Sequence, residues 1–197
     1  MGDAATPLIV RRSELASLGM TAHRLYAMAK NGELEQLAPG VYVRTGAMDD
    51  TAAAWASIAL RNPSATICLT SALSMHDLTD EIPAATDIAL PRGDRTLTTR
   101  FTPIHWHSFD RATFAIGRNR HAITDDIDID IDIGIYSPER TLIDAFRLRH
   151  EIGAETANEA LKRWLRQRDS TPSELMAMAR SFPKAEPGLR TALEILL

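Results

Sequence analysis

Two glycines and a Pro-Gly pair cut the segment RRSELASLGMTAHRLYAMAKNGELEQLAPGVYVR (residues 11–44) into short pieces, leaving few ways to fold it. Gly19 follows the apolar positions Leu15, Ala16 and Leu18. Only glycine adopts a left-handed backbone without steric cost, so Gly19 predicts the end of a helix over residues 13–18. Thr21 is placed to cap a second helix over 22–31. In that helix Ala22, Leu25, Met28 and Ala29 fall at helical spacing on one apolar face, and His23, Arg24, Ala27, Lys30 and Asn31 fall on the other. Asn31-Gly32 closes the helix. Residues 34–37 and 41–44 then alternate as strands about the turn pair Pro39-Gly40, and Leu8-Ile9-Val10 offers a further strand.

Helix, glycine turn, helix and two-stranded ribbon make the outline of a winged helix-turn-helix. The second helix of such a unit enters the major groove with its polar face toward the bases, and the ribbon touches phosphates beside it. The contact candidates are Thr21, His23, Arg24 and Lys30 on the helix and Arg44 on the wing. The competing reading is a helical hairpin packed on a ribbon, with no nucleic acid. Residues 11–44 hold five basic and three acidic side chains, a balance of +2, whereas the whole chain carries a net charge of −4. That argues against generic coating of nucleic acid and for local, sequence-directed binding.

The rest of the chain, 47–197, reads as a second, mixed domain after a winged helix at 1–46. Asp49, Asp50 and Thr51 cap an almost wholly apolar helix over 51–60. A short buried strand at 65–69 leads to a helix capped by Thr70 and Ser71 and reaching 78. Strands at 86–90 and 102–109 point to an antiparallel sheet. Ser137-Pro138-Glu139 opens a helix with cap, first-turn proline and first-turn carboxylate, and Arg140 and Asp144, four apart, are placed to pair. Further helices follow at 153–167, from a capping box at Thr171-Pro172-Ser173-Glu174, and at 189–197, where Leu193, Leu196 and Leu197 are expected to be buried. The chain is thus α+β, with its helices gathered toward the C-terminus. The single cysteine, Cys68, excludes an intrachain disulfide and reads as a small core residue suited to a reducing cytoplasm. No apolar run reaches the ~20 residues of a membrane helix.

Two patterns admit chemistry. Residues 126–133 alternate strictly, Asp126, Asp128, Asp130 and Asp132 against four isoleucines. As a strand this puts the isoleucines in a core and the carboxylates on one outer face. Beyond a solvated sheet face, three readings compete: a surface for a basic partner protein, a divalent-metal site, or the Asp-x-Asp pair of a metal-dependent nucleotidyltransferase. The last expects Gly followed by Gly or Ser upstream, and here Arg118 follows Gly117. His105-x-His107 places two imidazoles on one strand face, half of a metal site, but the sequence places no third or fourth ligand. Packed or surface histidines are therefore the expectation, with no metal and no cofactor.

The run Asn31-Gly32-Glu33-Leu34-Glu35-Gln36-Leu37-Ala38-Pro39-Gly40-Val41-Tyr42-Val43, with Leu69-Thr70-Ser71-Ala72-Leu73-Ser74-Met75-His76 and Ser137-Pro138-Glu139-Arg140-Thr141-Leu142-Ile143-Asp144, resembles the AbiEi-family antitoxins of type IV toxin–antitoxin systems. The resemblance rests on the order and spacing of these motifs and runs to about residue 165. It implies a bacterial, non-enzymatic antitoxin. Its winged helix-turn-helix would bind operator DNA as a transcriptional repressor of its own operon, and its C-terminal region would neutralise a cognate nucleotidyltransferase toxin. The family's recognition-helix positions carry over as Thr21, His23, Arg24 and Lys30. Two alternatives stay open on the residues alone. One is a metal-dependent nucleic-acid or nucleotide enzyme using Asp128, Asp130 and a histidine. The other is a protein-interaction module whose acidic face meets a basic partner.

Overall fold

The computed structural model describes residues 7–124, 126 and 129–197. The chain divides into two compact units. The first comprises Met1–Pro63, Leu97–Thr102 and His121–Ile133, and the second Ser64–Thr96, Pro103–Arg120 and Gly134–Leu197. The first unit therefore takes in α2 (Asp50–Ala59) and two later segments besides the winged helix expected at 1–46.

In the first unit β1 (Ile9–Arg11), α1 (Ala22–Lys30), β2 (Leu34–Ala38) and β3 (Val41–Arg44) follow in order, with the strands in an antiparallel sheet β1-β3-β2. The helix expected over 13–18 is instead a 3-10 turn at Arg12–Glu14 followed by turns. Six residues recover too few backbone hydrogen bonds to offset the nucleation of an α-helix. The segment nevertheless ends as the sequence predicts. Gly19 takes φ +60°, its N–H reaches Ala16 O at 3.2 Å, and Met20 N–H reaches Leu15 O at 2.9 Å. This is a Schellman closure, and Leu15 and Met20 both pack into the small core with Val10, Leu25, Leu34 and Tyr42. The α1 terminus repeats the device, with Gly32 at φ +78°, Gly32 N–H to Ala29 O at 3.3 Å and Glu33 N–H to Met28 O at 3.0 Å. The helix α2 starts on Asp49, whose carboxylate accepts the Ala52 N–H at 2.8 Å.

The second unit is built on a five-stranded sheet in the order β6-β5-β4-β8-β7, comprising β4 (Thr66–Ile67), β5 (Thr86–Pro91), β6 (Ile104–Phe109), β7 (Arg118–Ala122) and β8 (Asp132–Tyr136). The sheet is mixed. The pair β4–β5 is antiparallel, as expected, but β5–β6 and β4–β8 run parallel. The segment between β5 and β6 is long enough for the return that a parallel pair requires. Six helices complete the unit: α3 (Leu69–Met75), α4 (Pro138–Arg147), α5 (Arg149–Ile152), α6 (Ala154–Arg166), α7 (Pro172–Ala179) and α8 (Glu186–Leu196). The start of α3 lies one residue ahead of Thr70, and Cys68, fully buried, takes the cap position without a side-chain bond. Burial pushes the Cys68 thiol well above its usual pKa. Thr171 gives no side-chain cap to α7, and at the end of α8 Leu193 is buried whereas Leu197 is exposed.

The α4 helix holds this unit together. Ser137 accepts the Arg140 N–H at 3.3 Å and donates to Glu139 at 2.8 Å, and Pro138 takes the first turn. Seven of its residues, Arg140 through Phe146, are buried. Arg140 and Asp144 pair at 2.9 Å with no exposed side-chain surface on either, and Arg147 meets the same carboxylate at 2.9 Å. Arg140 also donates to Thr113 O at 2.7 Å and Ile116 O at 2.6 Å, and its guanidinium lies 4.1 Å from the Tyr136 ring centre and 4.4 Å from that of Phe182. Burial raises the Asp144 carboxyl above its ordinary range, against the pull of both arginines.

Among the described residues of the Ile/Asp alternation, strand structure begins at Asp132. Before it the Ile129 N–H bonds Asp126 O at 3.0 Å, and Ile131 N–H bonds Ile129 O. Aspartate is a poor strand former and a good turn former, and carboxylates stacked on one face repel. The in–out pattern survives: Ile129, Ile131 and Ile133 are buried, Asp126 and Asp130 are exposed and Asp132 is half-buried. Asp128 lies outside the described residues.

Candidate nucleic-acid interface

The α1 helix presents the face that the spacing of its residues predicts. Thr21 caps it by accepting the Arg24 N–H at 3.2 Å. Leu25 is its one fully buried residue, and Ala22, Met28 and Ala29 sit half-buried against the core. Thr21, His23, Arg24 and Lys30 are all exposed. At 100° per residue, His23 and Lys30 stand opposite Leu25, one near each end of the helix. Four of the five expected contact residues therefore share one solvent-facing helix.

The fifth, Arg44, is exposed on β3 opposite Leu34. That register puts it at the base of the β2–β3 hairpin, where Thr45 donates to Gly32 O at 2.7 Å, and not at the Pro39-Gly40 tip. The tip is tied instead to the 3-10 turn, with Arg12 N–H bonding Gly40 O at 2.7 Å. Gly40 has φ +76°, and the ideal position of an added Cβ is 3.6 Å from Arg12 Cβ.

Sequence reasoning did not assign three further side chains of this unit, those of Tyr26, Arg12 and Arg100. Tyr26 is 45% exposed on α1, a large ring on the outer side of a helix with an otherwise small core. The Arg12 guanidinium lies 6.0 Å from its ring centre. Tyr26 escaped notice because sorting by apolar and charged type leaves an amphipathic ring unassigned; its helical phase, a quarter-turn from Leu25, was the available signal. Arg100 comes from a distant part of the chain and sits beside β2, 3.5 Å from Glu35 and bonded to Gln36 O at 3.4 Å. No local pattern marks it. With Gln36, Leu37, Ala38, Pro39, Ser57, Arg61 and Thr98 it lines an open cleft of about 370 Å³ within the same unit. Arg61 is spent on structure there, bonding Ser57 O at 2.8 Å and Thr98 O at 2.8 Å.

The two histidines on β6 do not stand alone. Asp87 on β5 pairs in register with His105, and its Oδ1 lies 3.0 Å from His105 Nδ1 and 2.9 Å from His107 Nε2. The alternative constellation of Asp128, Asp130 and a histidine turns on Asp128, which lies outside the described residues. His105 and His107 are matched to Asp87, a lone carboxylate just ahead of the apolar run Ile88-Ala89-Leu90.

Among the described residues no helix is long and apolar enough to cross a membrane. A comparison with curated proteins found no match. Against solved structures, the chain resembles the crystal structure of the RV2827C protein from Mycobacterium tuberculosis, with a TM-score of 0.52 over 96% of this chain and 76% of that one. At 15% identity that likeness speaks for the fold alone. Residues 7–45, which span β1 to the end of β3, match the family described as "Transcriptional regulator, AbiEi antitoxin".

Proposed function

We propose that this protein is an antitoxin that represses its own operon through the α1 face and neutralises a nucleotidyltransferase-type toxin encoded beside it. The observation that carries the reading is the solvent-facing set Thr21, His23, Arg24 and Lys30 on one helix, inside the segment that matches the AbiEi regulators. In this reading Arg24 and Lys30 contact phosphates at either end of α1. His23 and Thr21 lie near base edges, and Arg44 supports from the hairpin base. The protein acts as a regulator rather than a catalyst. The short basic set makes binding salt-sensitive, each phosphate contact adding about one unit to the slope of log affinity against log salt.

The test is binding of the full chain to the DNA upstream of its gene. Arg24→Ala with Lys30→Ala is expected to abolish the shift at moderate salt while leaving the circular dichroism spectrum and melting unchanged. Equal operator affinity of wild type and double variant defeats the assignment. For neutralisation, the acidic residues Asp126, Asp128, Asp130 and Asp132 are the proposed contact with a basic toxin surface. Co-expression of the neighbouring toxin gene with the full chain or with the four-asparagine variant tests it. Protection is expected from the first and reduced protection from the second.

A further inference from the structure

We infer that Asp87, His105 and His107 form a binding site for a divalent transition-metal ion, a site independent of the DNA-binding surface. The parallel pairing of β5 with β6 sets Asp87 beside His105, with His107 two residues on and on the same face of the sheet. Two imidazole nitrogens and one carboxylate oxygen converge, all within 4.8 Å of one another. The carboxylate oxygen stands 2.9 and 3.0 Å from the two nitrogens. Ligands of a tetrahedral zinc ion with bonds of about 2.0–2.1 Å are separated by roughly 3.3 Å, so each oxygen–nitrogen separation has to open by only a few tenths of an ångström, while the two imidazoles pivot about the ion.

The donor set decides the class of metal. Two nitrogens and one oxygen suit zinc, cobalt or ferrous iron, whereas magnesium and calcium take oxygen ligands. The surroundings support the site from behind and leave it open in front. The Asp87 and His107 side chains are 10% and 8% exposed, and that of His105 is 67% exposed. Asp87 is fixed by three further bonds: its N–H to Ser71 Oγ at 2.8 Å, its carbonyl from Cys68 N–H at 3.0 Å, and its second carboxylate oxygen from Ser71 N–H at 3.4 Å. Such outer contacts hold a ligand in place before the metal arrives. The front of the site faces a cleft of about 310 Å³ that Thr70, Glu81 and Glu151 also line. It has room for a fourth ligand from water or a small anion and an acidic rim that favours a cation.

The rival account is a carboxylate that only accepts hydrogen bonds from two imidazoles and clamps β5 to β6. Cobalt(II) separates the two. The full-length chain, stripped with chelator and dialysed, is titrated with Co²⁺ at neutral pH and then with Zn²⁺. One cobalt per chain is expected, with the visible absorption of a low-coordinate site, and zinc should bleach it. His105→Ala is expected to weaken binding at least by the 10–100-fold that loss of even an outer contact costs. Because His105 is largely exposed, its metal-free melting should match wild type. Asp87→Asn, which keeps the side-chain shape, should lose the absorption as well. If wild type takes up no more Co²⁺ or Zn²⁺ than His105→Ala and Asp87→Asn, the cluster is a hydrogen-bonded clamp and the proposal falls. Operator binding by the same proteins reports separately on the winged helix.

Discussion

The helices α1 and α4 begin alike and end in opposite uses. Each starts on a hydroxyl cap, Thr21 or Ser137, that accepts the backbone N–H three residues on. In α1 one residue is fully buried and the polar side chains face solvent. In α4 seven consecutive residues are buried, and the strongest charges, Arg140 and Asp144, lie inside. The difference teaches that a polar residue in a helix is free for recognition only where the core behind it is shallow. Where helices wrap it on all sides, the same residue type becomes a structural bond. A buried ion pair of this kind adds little net stability over apolar packing, yet leaving one partner behind is severe.

Three substitutions sharpen that comparison. The largest effect is expected for Asp144→Ala, which strands Arg140 and Arg147 against aromatic rings. A loss of about 3–5 kcal/mol in urea unfolding is predicted. Replacing both partners by apolar residues, Arg140→Met with Asp144→Leu, should recover most of it. If the single and double variants are equally unstable, the pair is not acting as a pair. A middle effect is expected for Gly19→Ala. Nothing lies within 4 Å of the added Cβ, so only the left-handed backbone at φ +60° resists it, at about 1–2 kcal/mol. A neutral result in a melting experiment would show that this turn relaxes freely. The smallest is Thr21→Ala, predicted to cost about 1 kcal/mol through the lost cap. Thr21→Ser restores the cap, so comparing operator affinity across the two separates capping from contact. Recovery of stability without recovery of affinity would assign the methyl group to the DNA surface.

Much of the winged helix was legible in the sequence because its determinants are local. Gly19, Thr21, Gly32 and the Pro39-Gly40 turn each act within a few residues, and each stands where its type implies. The same holds for the Ser137-Pro138 start of α4 and for the Arg140–Asp144 pairing. The first helix was overestimated because an apolar spacing over six residues does not by itself repay nucleation. In the described residues from 129 to 133 the burial of alternate positions could be read, but the ladder could not, since hydrogen bonding depends on what lies alongside. Strand direction failed for the same reason: nothing in 86–109 says that β6 returns parallel to β5. That pairing alone brings Asp87 to His105 and His107, so the sequence showed the two histidines and hid the carboxylate between them. Arg100 was likewise invisible, reaching β2 from more than sixty positions away.

The paired glycine closures around α1 have a consequence for how such a surface can change. Gly19 and Gly32 stop the chain on both sides, so the length of the helix is set by two independent locks. One inserted residue between them would turn everything beyond it by about 100°. An insertion after Leu25 would carry Lys30 around the axis and swing Met28 and Ala29 off the core. The helix therefore behaves like a key of fixed cut. In the proposed DNA-binding role, new sequences would be reached by exchanging the teeth at His23, Arg24, Tyr26 and Lys30, but not by adding one.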